Sequence, residues 1–217
     1  YRVKDVLPAR GVVAIYGAPK SGKTFVTLDL IGAITEGREW FGRRTRPCPA
    51  IYCGLEGQGG LAQRWTAYSR IKAQARQAEL RFMTMPLSLL ETGDLGELAS
   101  AIRAAGCADG VVVIDTLNAA SVGADENSSA DMGKIIAGAK HLQAEVGGLI
   151  LLVHHAGKDA TRGLRGHSSL LGAVDALAQS DPPSAVPVDP GAAPADPPTA
   201  EPADPAPEPE ATPVEVA

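Results

Sequence analysis

Between residues 11 and 155, short apolar runs alternate with longer amphipathic stretches. Gly11-Val-Val-Ala-Ile-Tyr16, Ala50-Ile-Tyr-Cys53, Arg81-Phe-Met-Thr84, Gly110-Val-Val-Val-Ile-Asp115 and Gly148-Leu-Ile-Leu-Leu-Val153 read as strands. They are short, rich in β-branched or aromatic residues and mostly apolar at every position, as strands covered on both faces are. Helices are predicted over Thr24–Glu36, Gly60–Ala78, Gly96–Ala105 and Asp131–Val146. In the first of these, Val26, Leu30 and Ala33 fall at the i, i+4, i+7 spacing of one helical face. Strands alternating with helices imply the α/β class, a mostly parallel sheet with helices on both faces. Ligands of such sheets bind beyond the carboxyl ends of the strands, and the polar residues that stand out here fall there.

The first strand runs into Gly17-Ala18-Pro19-Lys20-Ser21-Gly22-Lys23-Thr24, which matches the P-loop pattern G-x-x-x-x-G-K-[ST] at each fixed position. Glycines let backbone N–H groups converge on phosphate oxygens, and the helix that follows points its positive end at them. Lys23 then neutralises β- and γ-phosphate charge and Thr24 ligates Mg²⁺, so the cofactors predicted are ATP and Mg²⁺. No Asn-Lys-x-Asp guanine motif is present (Lys158 follows Gly157), which favours ATP over GTP. Val111–Asp115 reads as a Walker B strand, whose Asp115 holds the Mg²⁺ water shell opposite Thr24. Thr116 follows where many ATPases carry a catalytic Glu, so the general base is sought at another strand end. Glu56, in the Gly54–Gly57 loop after the second strand, is the candidate, against the alternative of a solvated loop carboxylate.

His154 and His155 close the last strand as candidate γ-phosphate contacts, with a structural histidine pair as the competing reading. Zinc is disfavoured because no Cys or carboxylate pair accompanies them at ligand spacing. The segment Ala156–Ser169 is glycine-rich and basic, and Lys158, Arg162 and Arg165 make it a candidate mobile loop touching DNA or a neighbour's ATP.

Composition divides the 217 residues unevenly. From Asp181 to Ala217 there is no Lys or Arg, and 8 of the 25 acidic residues lie there. The formal charge of −5 therefore conceals a domain, residues 1–180, at +3. The Pro/Ala/Asp/Glu tail, 181–217, has no apolar periodicity and is expected to be disordered. Beginning at Tyr1 rather than Met, the chain reads as a fragment or processed product. No apolar stretch approaches the roughly 20 residues of a membrane span, and no basic-then-apolar leader pattern argues for secretion. Cys48, Cys53 and Cys107 form neither a disulfide ladder nor a Cys-x-x-Cys site, and read as reduced thiols of a cytoplasmic protein.

The motifs in order, GAPKSGKT, YCGLEGQ, VVVIDTL, ADENSSADM, LLVHHAGKD and RGHSSL, resemble the RecA-like ATPases, and within them the plasmid and phage RepA-type replicative helicases. The resemblance covers residues 7–176 and implies a hexameric ring around single-stranded DNA, with ATP between subunits. It implies Glu56 as catalytic base, Asp115 as Walker B carboxylate and His154/His155 as the γ-phosphate sensor. It also implies that Arg165, before Gly166, His167, Ser168 and Ser169, reaches the adjacent subunit's ATP, with Arg162 as the other possibility. The resemblance further implies that loops 119–130 and 157–164 correspond to the channel loops that touch DNA. Beyond residue 176 the tail replaces the family's further strands, so the C-terminal strands of the sheet are expected to be missing. Low aromatic content, 4%, leaves DNA contact to rest on backbone charge. Three alternatives stay open: a regulatory or recombination-mediator ATPase that assembles without unwinding DNA, a small-molecule P-loop kinase, and a degenerate chain that binds ATP poorly.

Overall fold

The computed structural model describes residues 1–56, 58–72, 79–125, 128–155, 170 and 174–179. Six strands, β1 (Gly11–Gly17), β2 (Ala50–Gly54), β3 (Leu80–Met83), β4 (Val111–Asp115), β5 (Leu149–His155) and β6 (Ala176–Gln179), form one sheet. Their order is β3-β2-β4-β5-β1-β6 and all the strand pairings are parallel. Among the described residues the helices that accompany them are α1 (Lys23–Glu36), α2 (Gln58–Lys72), α3 (Thr92–Ala104) and α4 (Ser129–Val146). Parallel neighbours require crossovers, and α1 to α4 supply those between consecutive strands from β1 to β5.

The two-residue period of the strands sorts their side chains into two cores. Val12, Ala14, Val112, Ile114, Ile150 and Leu152 face α3 and α4, where Leu98, Ile102, Met132, Ile135 and Leu142 are buried. Val13, Ile15, Val111, Val113, Leu149, Leu151 and Val153 face the other way, onto α1 and Leu61 of α2. The expected α/β layering, with helices on both faces, is therefore present.

The buried face of α1 differs slightly from the predicted one. It runs through Thr27, Leu30, Ile31 and Ile34, while Val26 is only half-buried. Leu28, Leu30, Ile31 and Ile34 are at most 1% exposed. Each such side chain contributes about 1.5–3 kcal/mol of hydrophobic stabilisation over an exposed one.

On the opposite face, α4 crosses the chain at Leu89 so closely that a Cβ on Gly138 would stand 1.9 Å from the Leu89 carbonyl oxygen. Backbone cannot rotate away as a side chain can. Gly138→Ala is accordingly expected to destabilise the domain by about 1–3 kcal/mol, the usual cost of overpacking. Urea unfolding checks this, and an unchanged midpoint would show that α4 can move off the Leu89 segment.

One short strand, β6, follows β5 in the chain and joins the sheet before the tail that begins at residue 181. Ala176-Leu-Ala-Gln179 is short and alanine-rich, which carries little strand signal. Its pairing is decided by Asp175, whose N–H donates to Val12 O at 2.7 Å while Val12 N donates back to its Oδ2 at 2.7 Å. The exchange sets β6 beside β1 at an edge of the sheet. Among the described residues no helix is long and apolar enough to cross a membrane. The tail 181–217, and residues 73–78 of the second predicted helix, lie outside the described residues.

Candidate nucleotide site

β1, β2, β4 and β5 all end at one side of the sheet, and a cleft of about 410 Å³ opens there. Lys20, Ser21, Gly22, Lys23 and Thr24 line it, together with Glu56, Asp115, Thr116 and His155. Residues from four strand ends, up to 135 positions apart in the chain, thus face one space.

The P-loop has the backbone that anion binding requires. Gly22 caps α1 in the left-handed region (φ 84°), a conformation glycine adopts without steric cost. The first-turn N–H groups of α1 have no intrahelical partner and open into the cleft with the positive end of the helix dipole. Lys23, 4% exposed, folds back so that Nζ donates to the carbonyls of Gly17 (2.8 Å) and Ala18 (2.7 Å). Burial lowers its pKa from the ordinary lysine range, and the nearby Asp115 charge partly offsets this. Pro19 and Lys20 are exposed, and Lys20 lines the cleft.

Asp115 and His155 project on the same face of the sheet as α1, because each shares the parity of its strand's residues on that side. Asp115 Oδ2 accepts from Thr24 Oγ1 at 3.1 Å and from Tyr52 OH at 2.5 Å. Burial, and then the neighbouring Asp115 charge, push the Tyr52 pKa far above that of a free phenol, so the hydroxyl is a donor. Glu56 Oε1 accepts from Thr116 Oγ1 at 2.7 Å, across 60 positions of sequence. Its Oε2 lies 3.8 Å from His155 Nε2.

The two histidines part company. His155 lines the cleft, whereas His154 falls on the opposite parity and is completely buried. Strand alternation separates what adjacency in sequence joined. Arg165, Arg162 and Lys158, with the whole 157–164 loop, lie outside the described residues. Of the 119–130 loop, Ala120 and Ser121 are buried and Val122 is 80% exposed, while residues 126 and 127 are outside the description.

Four residues of the site were not singled out from sequence. Phe25, the residue after Thr24, and Arg64 of α2 also line the cleft, the guanidinium lying 5.9 Å from the Phe25 ring centroid. Phe25 carried a signal in being a large apolar residue in the first turn of the helix. Thr116 was noticed only for what it replaces, and Tyr52 read as one more apolar strand position.

Oxygen donors at Thr24 and Asp115 suit Mg²⁺, which is held by one or two such groups plus substrate phosphates rather than by a full protein cage. Among the described residues no group of three or more His, Cys, Asp or Glu side chains gathers to hold a metal.

A family model described as an AAA domain matches residues 1–161. Among solved structures, a KaiC-like protein from the hyperthermophilic archaeon Pyrococcus horikoshii OT3 shares 16% identity, with a TM-score of 0.45. The similarity covers 71% of this chain and 65% of that one, just under two thirds of its length. No curated protein matches the chain.

Proposed function

The chain belongs to the AAA domain family of ATPases, and on that premise we propose that it hydrolyses ATP with Mg²⁺ to drive movement on single-stranded DNA, as a RepA-type replicative helicase. The observation that carries the hydrolytic part is the meeting of Glu56 with the P-loop and Asp115 in one cleft. The triphosphate lies along the loop, where the N-terminus of α1 and the Lys23 ammonium offset its charge. Lys23 moves there from the Gly17 and Ala18 carbonyls. Thr24 and Asp115 would hold Mg²⁺, which would supply positive charge against the phosphates. Glu56, oriented by Thr116, takes the proton of the attacking water. His155, beside Glu56, reads the γ-phosphate.

The DNA-motor part is supported by the ordered motifs and by the +3 charge of residues 1–180. In this reading Lys158 and Arg162 touch the DNA backbone and Arg165 completes a neighbour's site in a hexameric ring. The expected result is ATP turnover stimulated by single-stranded DNA, with the stimulation falling steeply between about 50 and 200 mM salt, since phosphate contacts release counterions. Phosphate release measured with and without an oligonucleotide decides it. Turnover indifferent to DNA, with assembly still driven by ATP, would replace the helicase by a regulatory ATPase.

A further inference from the structure

A phenol completely removed from water costs stability unless its hydroxyl finds a partner, because a Phe would fill the same space without that cost. Tyr52 is such a residue: 0% exposed, in the middle of β2, with its ring 5.9 Å from that of Phe82. In register it sits opposite Val113, two residues before Asp115, on the α1 side of the sheet. From there its hydroxyl reaches Asp115 Oδ2 at 2.5 Å, the same oxygen that accepts from Thr24 Oγ1 at 3.1 Å. Tyr52 does not line the cleft, so it can act on a bound nucleotide only through Asp115.

We propose that Tyr52 is a positioning residue of the Mg²⁺–nucleotide site, its hydroxyl fixing the rotation of the Asp115 carboxylate. The inference rests on the ATPase reading above and adds a residue to its metal shell. Two donors converging on one oxygen, from opposite sides of the sheet–helix boundary, hold the carboxylate plane in one orientation. Without the phenol, Thr24 is left as the partner on that oxygen, and Thr24 is itself a residue the metal engages. Partners one shell away from a metal set ligand orientation in this way, and their loss typically weakens metal binding about 10–100-fold.

The test is Tyr52→Phe, which removes one oxygen and leaves the packing against Phe82. Binding of a fluorescent ATP analogue to the full chain is followed as Mg²⁺ is titrated, and again in EDTA. The expected result is a roughly tenfold higher Mg²⁺ concentration at half-saturation, with binding in EDTA unaltered because it rests on the P-loop. Thermal unfolding in EDTA shows whether the variant is folded. Adding Tyr52→Phe to Asp115→Asn should then cause no further change in Mg²⁺ dependence, since the phenol acts through that carboxylate. A Tyr52→Phe variant with unaltered Mg²⁺ dependence, or one weakened equally in EDTA, overturns the inference while leaving the ATPase reading intact. Wild-type binding indifferent to Mg²⁺ overturns both.

Discussion

Replacing Glu56 by Gln is expected to lower the rate of ATP hydrolysis by about 10²–10⁴-fold while leaving ATP affinity close to that of the wild type. Gln keeps the length of the side chain and an amide oxygen that can still accept from Thr116 Oγ1, now 2.7 Å from the carboxylate. It cannot take a proton from water. Glu56 is also half exposed, its side chain at 47%, so the substitution removes no buried support from the fold. Steady-state phosphate release, beside equilibrium binding of a fluorescent ATP analogue, separates the two effects. Unaltered turnover would return Glu56 to the status of a solvated loop carboxylate and place the base elsewhere. Loss of binding in step with turnover would show that the residue holds the nucleotide rather than activating water.

Lys23→Ala should remove both activities. The ammonium is the cation the P-loop offers the phosphates, and losing one preorganised donor to a developing charge costs about 10²–10³-fold in turnover. Affinity should fall as well, because Lys23 meets the phosphates in the ground state. The change also strips two carbonyls, of Gly17 and Ala18, of the donor they hold in this conformation. Losing the donor to the buried Gly17 carbonyl costs about 1–3 kcal/mol, less than the stability of an ordinary domain, so the domain should stay folded. Circular dichroism with the binding titration checks this: a folded variant with intact nucleotide affinity would count against the site as drawn.

Much of this site could be read before any coordinates. The P-loop is legible because its chemistry is local: loop, Lys23, Thr24 and the helix N-terminus are contiguous, so no long-range contact is needed to bring them together. The strand that ends on Asp115 is legible because four apolar positions, all buried, precede the carboxylate. Glu56 was reached by elimination from Thr116, and the structure joins the two through a hydrogen bond that elimination could not foresee. Tyr52 was invisible for a different reason. Nothing in Ala50-Ile-Tyr-Cys53 distinguishes a phenol that packs from one whose hydroxyl reaches a carboxylate on the neighbouring strand. That depends on the β2–β4 register, which pairs Tyr52 with Val113 and Gly54 with Asp115.

The histidines and β6 mark the same boundary. Parity along β5 could have assigned His155 to the face of Leu149, Leu151 and Val153, but which face looks onto α1 is decided by the crossover of the chain. β6 takes its place through the Asp175–Val12 exchange, a contact between residues 163 positions apart. The sequence by itself determined the layering of strands and helices and the phosphate loop, because hydrophobic period and local backbone chemistry are properties of neighbouring residues. Only the tertiary structure decided which histidine faces the cleft, what orients Glu56 and Asp115, and where the last strand pairs. Those depend on strand order and register, which juxtapose residues the chain itself keeps far apart.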